Sequence, residues 1–128
     1  MKAIDIINET VEYYKTNPRG KSDNSAGCDY LTPEGYMCAV GRCLKKKVRN
    51  SLTDFYGDAE ALMEEKGRSS LDSLLLNKYK NHSTLFWMDL QFLHDAGNFW
   101  DKNNVDGNNL TERGKDQYAG MLITYAND

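Results

Sequence analysis

"CDYLTPEGYMCAVGRC", residues 28–43, holds all three cysteines of the chain and its clearest turn signal. Thr32, Pro33, Glu34 and Gly35 read as a tight turn. Proline pre-sets φ for the second position, and glycine closes the turn. Short strand candidates at 28–31 and 36–40 flank it, so the spacing predicts an antiparallel β-hairpin over residues 28–40. Gly41 reads as a bulge or a strand-to-helix transition. Two strands alone are marginal in water, so the hairpin must pack on helices or pair with another chain.

On both sides of this stretch the pattern is helical. Ile4, Ile7, Val11 and Tyr14 share one face of a helix over residues 3–15, which Asn17-Pro18 ends. "PRGKSDNSAG", residues 18–27, is a polar loop. Downstream, Thr53 or Asp54 caps a helix through Lys66 that Gly67 stops. Ser69 or Ser70 caps the next, with Leu71, Leu74, Leu75 and Tyr79 as its buried face. Ser83 opens "STLFWMDLQFLHDAG", residues 83–97, so apolar all round that it belongs in the core. After the loop "DKNNVDGNN", Thr111 caps a last helix with Tyr118, Met121, Leu122 and Tyr125 inward. The expected fold is therefore α+β and predominantly helical: about five helices packed around one small antiparallel β-hairpin, in a single domain, residues 1–128.

Composition narrows the function classes. A net charge of −3 excludes a generally basic nucleic-acid binder. Mean hydropathy is −0.71, and no apolar run approaches the roughly 18–20 residues of a membrane span. Asp5, Glu9 and Glu12 interrupt the N-terminus where a secretory signal is uniformly apolar. The chain thus reads as cytoplasmic, with all three cysteines reduced.

Three constellations carry possible chemistry. Cys28, Cys38, Cys43 and one histidine, His82 or His94, have the residue types of a zinc site. Their C-x9-C and C-x4-C spacings lack the close pair that forms a zinc knuckle. Cys38 with His94 and Asp95 has the composition of a Cys–His–Asp nucleophile. Neighbours on a helix diverge by about 100°, however, so Asp95 reads as a poor orienter of His94. Packing is the plain role for all of them. Third, Arg42, Lys45, Lys46, Lys47 and Arg49 form a basic run. It either faces an anionic partner or pairs with the acidic segment after it, Asp54, Asp58, Glu60, Glu64 and Glu65. Trp87 reads as core. Trp100, just past Gly97 and followed by Asp101 and Lys102, reads as a partner-facing anchor.

Cys28, Tyr30 and Gly35, then Cys38-Ala39-Val40-Gly41, then Leu90-Gln91 and His94-Asp95, then Trp100 follow one another in an order that resembles a family of small uncharacterised bacteriophage and prophage proteins. The resemblance spans roughly residues 26–122. Here a basic run follows "CAVG" where an acidic turn is usual in that family, and Glu34 stands where Asp is usual. The resemblance implies a phage accessory protein and no established activity.

The sequence thus points to a non-enzymatic protein that binds a host protein or a nucleotide signal, in host takeover or counter-defence. Its expected contact residues are Arg42, Lys45, Lys46, Lys47, Arg49 and Trp100. The partner is a host protein or small anionic ligand, with nucleic acid open through the basic run. No cofactor is called for, no membrane is involved, and the chain is a monomer or homodimer. The alternative is a Cys/His enzyme or small zinc-binding module centred on Cys38 and His94.

Overall fold

Residues 1–19, 29–101 and 110–128 are described by the computed structural model. Apolar residues spaced three and four apart make α1 (Ala3–Tyr14) amphipathic, with Ala3, Ile6, Ile7, Val11 and Tyr14 buried. Thr10 is buried too, its hydroxyl donating to Ile6 O at 2.7 Å, so the side chain costs the core no unpaired group. Ile6 and Ala3, rather than Ile4, complete the inward face.

Helix α2 (Lys46–Asn50) is a single turn of the basic run. Helix α3 (Ala59–Glu65) starts at Asp58, whose carboxylate accepts from Ala61 N at 2.8 Å. The start lies later than Thr53 or Asp54 because Gly57 has φ +152, a value no α-helix contains. Gly67, at φ +64, ends the helix as the sequence indicates.

Residues 69–79 do not form the expected helix. They make two 3₁₀ turns, Asp72–Leu74 and Asn77–Tyr79. The cause lies between them, where Lys45 N donates to Leu74 O and Leu76 N to Cys43 O, both at 2.9 Å. This antiparallel bridge between Leu44 and Leu75 takes the backbone groups that a helix would use. Leu71, Leu74, Leu75 and Tyr79 are buried nevertheless.

Helix α4 (Thr84–Asp95) is capped by Ser83 Oγ, which accepts from Phe86 N at 3.1 Å. It supplies Phe86, Trp87, Leu90 and Leu93 to the core, each worth roughly 1.5–3 kcal/mol of burial. Leu85 and Phe92 stay exposed, so the helix is central on one side only. Helix α5 (Glu112–Thr124) is capped by Thr111 and crosses α1 and α4. Gly114 lies against the Phe99 carbonyl, where an added Cβ would be 2.1 Å from the oxygen. Among the described residues no helix is long and apolar enough to cross a membrane.

The β-hairpin over residues 28–40, and with it the α+β class, is corrected. The described residues contain five α-helices and no β-strand, and the fold is helical. The turn itself exists. Gly35 N donates to Thr32 O at 2.9 Å, Thr32 N to Tyr36 O at 2.8 Å, and Gly35 has φ +90. The ladder beyond it fails because other elements claim the backbone. Tyr14 OH donates to Met37 O at 2.6 Å, and Val40 N donates to Gln91 Oε1 at 3.2 Å. Cys38 N still reaches Asp29 O, at 3.1 Å. Asp29, however, bridges to Tyr56 instead of extending a hairpin. The chain then passes straight into a 3₁₀ turn at Gly41–Cys43.

Candidate functional site

Two polar junctions and one charged face hold the residues singled out in the sequence. The first junction lies where the C-terminal end of α4 meets the turn at residues 38–43. Gln91 accepts from Val40 N and donates through Nε2 to Asp95 Oδ1 at 3.1 Å. His94 Nδ1 lies 2.7 Å from Asp95 Oδ1. That contact corrects the expectation that the two adjacent residues diverge, since Asp95 sits at the end of α4 and its side chain folds back. Arg19 Nη1 donates to His94 O at 2.6 Å, and its guanidinium lies 5.6 Å from the Trp100 ring.

Every reactive group at this junction is buried or occupied. His94 is fully buried, and the Tyr14 ring covers it with centroids 4.8 Å apart. Cys38 is disulfide-bonded, which overturns the expectation of three reduced thiols. Its Sγ accepts from Gly41 N at 3.3 Å. Cys43 is a free, buried thiol, and burial pushes its pKa up to about 12. A thiolate nucleophile needs the opposite setting. Cys28 lies outside the described residues, and among those described no group of three His, Cys, Asp or Glu is placed to hold a metal ion.

Trp100 also belongs to this junction and not to the surface. It is 3% exposed, and its Nε1 donates to Leu93 O at 2.8 Å. The reading of Trp100 as a partner-facing anchor is therefore corrected: its polar edge is used internally.

Arg42 builds the second junction. Its Nη1 donates to Glu9 Oε1 at 2.6 Å and to Tyr79 OH at 3.1 Å, and its Nη2 to Thr10 Oγ1 at 3.3 Å. The rings of Tyr13 and Tyr79 lie 5.3 and 5.6 Å from the guanidinium. Tyr79 OH also donates to Glu9. Burial raises the Glu9 carboxyl pKa, but hydrogen bonds from Tyr79 and Arg42 outweigh it, so the net shift is downward. Arg42 thus leaves the basic surface and ties α1 to the Gly41–Cys43 turn.

The rest of the basic run forms the charged face. Lys45, Lys46 and Lys47 are exposed, and Arg49 is half-buried. Lys45 Nζ is held by Ser73 O at 3.0 Å. Among the described residues, no salt bridge joins Lys45, Lys46, Lys47 or Arg49 to the acidic side chains of α3. Lys66 adds a cation that sequence reasoning missed, since its Nζ reaches Ser51 Oγ at 3.0 Å, at the C-terminal end of α2. Its position at the end of an acidic helix hides that placement from a linear reading.

Comparisons with protein-family models, curated proteins and solved structures returned no match.

Proposed function

We propose that this protein acts by binding, as a phage-type accessory protein whose contact face is formed by Lys45, Lys46, Lys47 and Arg49. The reading rests on one observation. These cations precede an acidic helix in the chain, whose C-terminal Lys66 reaches Ser51 at the end of α2, yet they make no ion pair with its carboxylates among the described residues. Lys46 and Lys47 are exposed, and Lys45, exposed too, is bonded only to the Ser73 carbonyl, so the cations are accessible to an anionic surface. Lys66 enlarges that face, and the half-exposed Leu76, beside the Leu44–Leu75 bridge, offers an apolar contact near it.

The partner in this reading is an acidic patch on a host protein. The net charge of −3 and the acidic α3 that follows in the chain disfavour a nucleic-acid backbone. The phage origin and a role in takeover or counter-defence follow from the resemblance of the Cys38–Gly41 and Leu90–Asp95 motifs. The host cytoplasm as the place of action follows from the charged N-terminal residues Asp5, Glu9 and Glu12, and the Cys38 disulfide is the observation that weighs against it. The disulfide-bonded Cys38 supports no Cys–His reaction centre.

The test is a pull-down from bacterial lysate with wild type, K45E/K46E/K47E and E60K/E64K/E65K. The captured protein should vanish with the first variant and persist with the second. Equal capture by wild type and the lysine variant would remove the face from the proposal.

A further inference from the structure

A cleft of about 220 Å³ lies between α1 and α5, away from the basic run. Val11 and Leu110 are the apolar part of its lining, and Lys15 of α1 and Lys115 of α5 line it as well, with Glu12. The Tyr118 hydroxyl donates to Asn8 Oδ1, which fixes one wall.

Both ammonium groups are in exposed ion pairs with a carboxylate of their own helix. Lys15 meets Glu12 at 3.0 Å with side chains 50% and 74% exposed, and Lys115 meets Glu112 at 3.5 Å with 63% and 90% exposed. Exposed i,i+3 pairs of this kind exchange readily with a competing anion. The volume is below the roughly 300–1,000 Å³ of drug-sized pockets, so the cleft takes a fragment-sized molecule.

We infer that this cleft binds a small amphipathic carboxylate, with its apolar body on Val11 and Leu110 and its anionic group between Lys15 and Lys115. The neighbouring Glu12 sets the charge limit: a monoanion is accommodated, whereas a multiply charged phosphate ligand is repelled. The inference is independent of the lysine face at residues 45–47, because it uses neither the same residues nor the same partner class.

The experiment titrates 2-naphthoate, its neutral relative 2-naphthylmethanol, and inorganic pyrophosphate into the ¹⁵N-labelled protein, followed by amide shifts. Naphthoate should perturb Asn8, Lys15, Lys115 and Tyr118, and bind at least about tenfold more tightly than the alcohol. K15M/K115M should abolish that preference, while K45E/K46E/K47E leaves it intact. Equal affinity for acid and alcohol, tighter pyrophosphate binding, or shifts that follow the residue 45–47 lysines would each overturn the inference. So would the absence of cleft shifts up to the solubility limit of naphthoate.

Discussion

Gly41 lies directly against the carbonyl of Tyr30: a Cβ at residue 41 would sit 2.2 Å from that oxygen. No side chain fits there without moving the backbone, and both residues are fully buried. The contact locks the turn at residues 29–36 onto the start of the Gly41–Cys43 3₁₀ turn. Gly41→Ala should therefore destabilise the fold by about 3 kcal/mol, near the upper end for small-to-large changes. Urea unfolding followed by circular dichroism checks this. A loss under about 1 kcal/mol would mean that the two segments separate easily.

Glu9 makes stability depend on pH. Its folded-state carboxyl pKa lies below the ordinary 4.5, so the folded protein binds fewer protons there than the unfolded chain. This contribution is complete above pH 4.5 and is lost as pH falls through the depressed value. Glu9→Gln should flatten the acid limb of the stability curve below pH 4.5 and leave its shape at pH 6–8 unchanged. Arg42→Ala should cost about 2–3 kcal/mol at neutral pH, because it strips partners from Glu9, Thr10 and Tyr79 at once. Thermal melts across pH 3–8 separate the two effects.

How far the sequence revealed this arrangement depends on whether a signal was local. The caps at Ser83 and Thr111 and the stop at Gly67 are local chemistry, and each stands where the residues indicate. The turn Thr32–Gly35 is local too. The hairpin was not legible, because its failure depends on Tyr14 and Gln91, which lie 23 and 51 residues from the backbone groups they engage. The helix expected after Ser70 failed for the same reason, since the pairing of Leu44 with Leu75 overrode local propensity. At the site, five cations within eight residues read as one basic run, yet burial beside Glu9 removes Arg42 from it. No local signal shows that Arg42 and Lys66 exchange places in the charged surface.

Trp100 provides a contrast between packing and partner contact. Its indole nitrogen donates to Leu93 O inside the protein, and its ring packs edge-on near Tyr14, with centroids 6.1 Å apart. Trp100→Phe keeps most of the apolar area and leaves the Leu93 carbonyl without that donor. It should cost about 1–2 kcal/mol in chemical denaturation. Partner capture by the folded variant should equal that of wild type. A variant of wild-type stability that loses its partner would restore Trp100 as an anchor.

The two described cysteines should behave differently toward alkylating agents. Cys43 is fully buried, and burial pushes its pKa up to about 12. At pH 8 it is therefore a thiol, shielded and unreactive, where an exposed cysteine is partly thiolate. Iodoacetamide should leave Cys43 untouched in the native protein and label it once urea unfolds the chain. Cys38 should resist labelling even in urea until a reductant is added, because its sulfur is already in a disulfide. Peptide mass mapping of the three conditions reads both residues. Alkylation of Cys38 in urea without reductant would show a reduced thiol, which would then sit 3.3 Å from the Gly41 amide and inherit that donor's pull toward the thiolate. Rapid native labelling of Cys43 would require the Gly41–Cys43 turn to open, and Gly41→Ala should then accelerate it further.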